Sequence, residues 1–224
     1  MGSTDRYQSV ADLPATIPIF PLSGVLLLPR TQLPLNIFEL RYLQMVDDAL
    51  RGTRIIGLIQ PDENDTPAIR ADRPALMKVG CAGRLTSYTE TDDGRALITL
   101  TGISRFRLRE ELDSMTPYRQ CTVDYDEFAD DLTPELGTEQ VSRDDLLDVL
   151  KTYLETNGLQ ADWKTIKLST NETLVNSLSL ISPYGPREKQ ALLEAKTLED
   201  RNQMLIALTE VALQQGTANE NTVQ

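Results

Sequence analysis

This chain of 224 residues contains no histidine. That excludes Ser-His and Cys-His nucleophile systems, histidine-ligated metal sites and the H-E-x-x-H pattern. No glycine is followed by lysine, so the G-x-x-x-x-G-K-[ST] loop that cradles nucleotide phosphates is missing. The dinucleotide fingerprint G-x-G-x-x-G is missing too. No apolar run is long enough for a transmembrane helix. The opening MGSTDRYQSVADLPA lacks the apolar core of a signal peptide. A cytoplasmic protein without a membrane partner is therefore expected. Cysteine is scarce: Cys81 and Cys121 make neither a disulfide framework nor a zinc constellation. Both lie in apolar strand contexts and read as small core residues rather than reactive thiols. Basic charge is scarce as well, with 22 Lys/Arg against 34 Asp/Glu and a net charge of −12. A nucleic-acid partner would need a basic surface, so none is expected.

The remaining option for catalysis is a carboxylate pair. Asp47-Asp48 falls on the polar side of a helix and Asp92-Asp93 at a hairpin tip. General acid and base work needs a cleft and shifted pKa values, which neither context suggests. No catalytic residue, cofactor or metal is expected, and the chain does not read as an enzyme.

What is present is ordinary for a globular protein: 40% hydrophobic and 25% charged residues. The length suits one large or two small domains. Charge is unevenly spread. Residues 1–118 hold 13 basic and 15 acidic residues, and residues 119–224 hold 9 and 19. Asp124 to Glu139 carries seven acids and no Lys or Arg. It reads as a solvated connector, or as an acidic face for a basic partner.

Along the chain, residues 1–15 are expected to form a flexible tail. Ile17–Phe20 and Val25–Leu28 read as short strands punctuated by Pro18, Pro21, Pro29 and Pro34. A helix follows, with Phe38, Tyr42, Met45, Val46, Ala49 and Leu50 on one face, Asn36 as N-cap and Gly52 beyond its end. Arg54–Gln60 is nearly continuous apolar sequence and predicts a strand buried on both faces. Pro61–Pro74 reads as an exposed loop. Gly80–Tyr88 and Arg95–Leu100 flank Thr91-Asp92-Asp93-Gly94, a hairpin signal. Ile103–Leu112 and Gln120–Tyr125 add two more strands. Beyond the acidic segment the period turns helical. Val141 to Leu154 closes at Gly158, Glu172 to Ile181 follows Asn171, and Pro186 opens a helix to about Ala195. A capping box of Thr197 and Asp200 starts a last helix, Leu198–Gln215, with Leu205, Leu208 and Ala212 buried.

The expected fold is thus α+β. A small β-barrel with an inserted helix (16–124) leads through an acidic connector (125–141) to a helical bundle (142–215) and a flexible tail (216–224).

Three blocks carry a family resemblance. The first runs Val25-Leu26-Leu27-Leu28-Pro29 and then Pro34-Leu35-Asn36-Ile37-Phe38-Glu39-Leu40-Arg41-Tyr42. The second is Val79-Gly80-Cys81-Ala82-Gly83-Arg84-Leu85, and the third Leu100-Thr101-Gly102-Ile103-Ser104-Arg105-Phe106. In order and spacing they resemble the N-terminal, substrate-recognition domain of Lon-type ATP-dependent proteases. The likeness continues more weakly through Lys189-Gln190-Ala191-Leu192-Leu193-Glu194 and covers roughly Ile17 to Gln215. It implies a barrel of the pseudouridine-synthase-associated (PUA-like) type. It also implies recognition of unfolded or exposed apolar polypeptide segments, with an ATP-dependent protease as a further partner. A Lon protease needs ATPase and Ser-Lys peptidase modules, and neither is found in this sequence. A stand-alone adaptor or regulator is the expectation, and the polar end from Thr217 to Gln224 reads as a natural terminus.

The candidate peptide contacts are Leu26, Leu27, Leu28, Pro29 and Leu33, a cluster more apolar than a short loop should expose. The competing reading is that they close the barrel. Arg84 and Arg105 are candidates because guanidinium forks recognise carboxylates and carbonyls. They could instead form partly buried ion pairs. Pro34, Phe38, Glu39, Arg41, Tyr42, Gly80, Gly83, Gly102 and Phe106 are assigned to the structural motif, the glycines as bulges or tight bends. The alternative function is a small-molecule or modified-residue binding PUA-like domain. Related pockets use a separate Trp-rich domain, whereas Trp163 is the single tryptophan here. Client identity and oligomeric state are left open by the sequence.

Overall fold

The computed structural model describes residues 6–62 and 73–220. Most of the loop expected between Pro61 and Pro74, the first five residues and the last four fall outside the described residues. Two compact units result: Met1–Pro134 with Tyr184–Leu193, here the β unit, and Glu135–Pro183 with Glu194–Gln224, here the helical unit.

The β unit contains β1 (Thr16–Pro21), β2 (Gln32–Ile37), α1 (Leu40–Arg51), β3 (Ile55–Pro61), β4 (Leu76–Glu90), β5 (Ala96–Leu112) and β6 (Arg119–Asp124). The sheet order is β2-β5-β4-β3-β1-β6, and β6 also pairs with β5. Pairing therefore runs full circle through β1, β3, β4, β5 and β6, with β2 attached to β5. β1 and β3 are parallel, Ile19 opposite Gly57. Parallel neighbours need a crossover, and α1 lies within it. β3 is buried from Ile55 to Gln60, as its continuous apolar sequence predicts. The β4–β5 hairpin turns at Thr91–Gly94, where Gly94 takes the positive φ of 78° that such a turn requires.

Several expectations need correction. Val25–Leu28 is not a strand. Pro21 ends β1, and Leu28 is held in a turn instead, its N–H donating to Thr31 Oγ1 (3.1 Å) and its carbonyl accepting from Thr31 N (3.1 Å). The helix starts later than expected, with Glu39 rather than Asn36 at its N-cap. Phe38 is consequently outside the apolar face and 65% exposed. The strands expected at 95–100 and 103–112 are one strand, β5, that passes through Gly102 unbroken. Residues 6–15 are no loose tail: Tyr7 and Leu13 are buried with Ile17, Phe106 and Tyr125. Within the acidic segment a 3₁₀ helix spans Asp126–Leu132 and buries Phe128 and Asp131.

The helical unit contains α2 (Arg143–Thr156), α3 (Trp163–Leu168), α4 (Asn171–Ile181) and α6 (Leu198–Glu220). The short α3 is capped by Asp162, which accepts from the N–H groups of Lys164 and Thr165. Its six residues are too few for the apolar period to be readable in sequence. Thr197 and Asp200 form the expected reciprocal cap of α6 (3.0 and 3.1 Å). The helix α5 (Pro186–Glu194) was expected in the bundle, yet Pro186–Leu193 group with the β unit. The reason is polar: Gln190 donates to Val79 O (3.1 Å), and Gln60 donates to Pro186 O (2.9 Å) and Gln190 Oε1 (3.1 Å). No described helix is long and apolar enough to cross a membrane.

Candidate functional site

The three sequence blocks meet inside the β unit. A Cβ on Gly102 would lie 2.0 Å from the Leu28 carbonyl oxygen, and one on Gly80 would lie 2.5 Å from Phe106 Cζ. Arg30 N donates to Gly102 O and Gly102 N to Thr31 O, both at 2.9 Å. The Leu28–Thr31 turn is thereby clamped against β5. Both glycines are close-approach positions, and Gly102 also adjoins an irregularity, since β5 runs two residues from Ser104 to Gly102 against one on β4. At Gly83 the β4–β5 register does shift.

This clamp withdraws the predicted apolar contacts from the surface. Leu26, Leu27, Leu28 and Pro29 are buried, and Leu33 is half-buried opposite Leu100. A peptide cannot reach the first four without opening the turn. Arg105 is also out of reach, at 4% exposed. Its Nε and Nη2 donate to Asp131 Oδ2 and Oδ1 (2.9 and 2.8 Å), and its Nη1 donates to Leu193 O (3.1 Å). Its guanidinium lies over the Phe128 ring, 4.6 Å from the centroid. Such a fork is a structural tie between β5, the acidic segment and α5. Arg84 is half-buried and donates to Tyr7 OH (2.9 Å). The competing reading, a partly buried ion pair, describes Arg105, whereas Arg84 bonds a phenol and a backbone carbonyl.

A different set of residues forms a cavity of about 490 Å³ in the β unit, a size typical of ligand sites. Arg41 and Tyr42, assigned above to the motif, line it together with Arg73 and Arg119. Pro21, Pro61, Pro74 and Pro117 supply stiff walls without N–H donors. Ser114, Thr116 and Tyr118 complete it from the loop between β5 and β6.

Its charges are organised by Glu111. Arg119 donates Nε to Glu111 Oε1 (3.0 Å) and pairs through Nη2 with Oε2, while its Nη1 holds Pro74 O (2.7 Å). Arg73 Nη2 reaches the same carboxylate (2.7 Å). Burial raises the Glu111 pKa, but the Arg119 bond and charge, with Arg73, outweigh it and leave the group below the ordinary carboxylate range. Glu111 is thus anionic at neutral pH and faces two cations. Arg41 pairs with Glu39 (2.8 Å) and stacks on Tyr42, 4.7 Å from the ring centroid. Burial pushes the Tyr118 phenol up to about 12, aided by its hydrogen bond to Asp48 Oδ2 (2.8 Å) and that carboxylate's charge. Burial likewise raises Tyr42. Both phenols are neutral at pH 7, so the walls are polar but uncharged beside three cations. Nearby, burial pushes the Cys121 thiol up to about 11, which makes it unreactive at neutral pH.

Exposed apolar side chains adjoin this cavity in sequence. Phe38 and Leu40, the latter 84% exposed, precede Arg41, and the fully exposed Met115 stands between Ser114 and Thr116. The sequence reading missed Arg73, Ser114, Thr116, Tyr118 and Arg119. Ser114-Met115-Thr116-Pro117-Tyr118-Arg119 is indistinguishable from an ordinary turn. The one available signal was the pairing of Arg41 and Tyr42 inside a motif otherwise explained by packing.

A family model described as the ATP-dependent protease La (LON) substrate-binding domain matches residues 16–210. A Lon protease of Flavobacterium johnsoniae is 25% identical over 208 residues, 91% of this chain and 25% of that protein. One of Desulfosudis oleivorans is 30% identical over 120 residues, 54% of this chain and 14% of the relative. The chain spans about a quarter or less of these curated relatives. Among solved structures, a Lon N-terminal domain protein from Xanthomonas campestris superposes with a TM-score of 0.58 at 24% identity, covering 87% of this chain and 98% of that one. The N-terminal domain of a Mycobacterium avium complex Lon protease gives 0.63 at 16% identity, with the same coverage. The chain belongs to the family of Lon substrate-binding domains.

Proposed function

We propose that this protein is a non-catalytic module that binds unfolded or otherwise exposed apolar polypeptide segments in the cytoplasm. It would serve as an adaptor or regulator for an ATP-dependent protease. The observation that carries this reading is the family match over residues 16–210, a substrate-binding domain by description. The circular strand pairing supports a PUA-like barrel as the platform. Phe38, Leu40 and Met115, large exposed apolar side chains close in sequence to cavity-lining residues, suit a polypeptide ligand. Binding would be weak per contact and driven by apolar burial, at roughly 25 cal/mol per Å².

The test is fluorescence anisotropy with a labelled protein in its native and its reduced, alkylated form. Saturable binding of the unfolded form alone is expected. Equal affinity for both forms, or binding of neither, would overturn the proposal. The alternative, a small-molecule or modified-residue binder, draws on the cavity of about 490 Å³. A small ligand carried through purification, seen by native mass spectrometry, would favour it.

A further inference from the structure

We propose that the cavity beside α1 recognises a carboxylate of the bound polypeptide, foremost its C-terminal carboxylate. This rests on the polypeptide-binding reading above. Three observations lead to it.

The first is the sign of the lining. Among the described residues the cavity has three arginines on its wall and no Asp or Glu, in a chain where acids outnumber bases 34 to 22. A random concave site on such a surface would be acidic. Guanidinium groups are fork-shaped donors matched to carboxylates.

The second is the division of labour among the arginines. Arg119 is committed to Glu111 and to the Pro74 carbonyl, and its side chain is 14% exposed. It builds the wall. Glu111 carries one charge yet serves both Arg119 and Arg73, so one positive charge is left over at that side. Arg73 is 62% and Arg41 43% exposed at the side chain, so both can turn toward an incoming group. Arg41 bonds Glu39 through Nε and Nη2, which leaves its Nη1 without a carboxylate among the described residues. Arg41 and Arg73 are therefore the recognition groups.

The third is the apolar margin. Leu40 and Met115 are exposed next to lining residues on two separate segments. A cavity of about 490 Å³ takes a terminal residue or two, not a folded partner. An apolar side chain against Met115 with its terminal carboxylate toward Arg41 and Arg73 uses both features. A side-chain carboxylate of Asp or Glu offers the same chemistry from another source.

The test uses three labelled peptides of one apolar sequence and the full chain. One has a free C-terminus, one is amidated, and one is amidated with an internal Glu. The free peptide should bind about tenfold more tightly than the amidated one, as expected for losing a charge-assisted pair. Arg41→Gln and Arg73→Gln should erase that difference while leaving the amidated peptide unaffected and the melting temperature unchanged. If the internal Glu restores affinity in an arginine-dependent way, the carboxylate site stands with the side chain as its source. Equal binding of all three peptides overturns the inference and leaves polypeptide binding intact. Equal losses for free and amidated peptides in the variants also overturn it, because a merely structural role would do that. Failure of every peptide to bind overturns both this inference and the proposed function.

Discussion

The two units fill their interiors differently. The β unit buries a nearly continuous apolar set: Ile17, Ile19, Leu26–Leu28, Met45, Ile55, Ile59, Leu100 and Phe106 are almost fully covered. Its deeply buried ion pair Arg105–Asp131 has both carboxylate oxygens hydrogen-bonded. The helical unit mixes Val141, Leu146, Leu174, Val175, Leu198 and Leu205 with buried Glu172, Asn176, Ser179, Asn202 and Thr209. Some of these polar groups are tied, as where Arg201 donates to Asn176 (2.9 Å) and Glu172 accepts from Glu135 N (2.9 Å). Asn202 is fully buried with no hydrogen-bond partner among the described residues. A polar interior gains less from burial than an apolar one. The β unit, with the more apolar interior, is also the one that holds the arginine-lined cavity.

The largest test of this contrast is Asp131→Ala. It leaves the Arg105 guanidinium buried without its carboxylate, and a loss of about 3–5 kcal/mol is expected in urea unfolding. A loss under 1 kcal/mol would make the acidic segment the solvated connector that its composition suggests. Next is Gly102→Ala. The new methyl meets backbone rather than a flexible side chain, so the Leu28 turn must move. A cost of about 1–3 kcal/mol is expected from the same measurement, with a wild-type value arguing against the clamp. In the helical unit the sign should reverse. Asn202→Leu keeps the volume and removes unpaired polar atoms, so a change between zero and about 1 kcal/mol of stabilisation is expected. A clear destabilisation would mean that Asn202 is bonded.

The smallest effect concerns Tyr118. Its folded pKa, about 12, lies above the ordinary value of 10. Stability from this shift is therefore fully present below pH 10 and lost as pH rises toward 12. Tyr118→Phe should flatten the decline of the melting temperature across that window. An unchanged slope would show that the phenol titrates alike folded and unfolded.

The sequence was legible where one local rule dominated. Continuous apolar β3, the Asp93-Gly94 hairpin tip and the Thr197/Asp200 cap are each set within a few residues. Val25–Leu28 misled because a fully buried apolar loop and a buried strand have the same composition. What separates them is Gly102, three-quarters of a hundred positions away in sequence terms and touching in space. Asp131 misled in the opposite sense, since its charged neighbours describe a solvated run while its own partner, Arg105, lies on β5. The cavity was illegible for the same reason. Arg41 on α1, Arg73 ahead of β4 and Arg119 at the start of β6 have no periodic relation, and only the tertiary fold brings them together.

Hydrogen exchange with and without saturating unfolded polypeptide tests the central claim most directly. The account predicts slowed exchange at residues 38–42 and 114–119, in the β unit, with the helical unit unaffected. Slowing confined to the helical unit, or absent throughout at saturation, would contradict it.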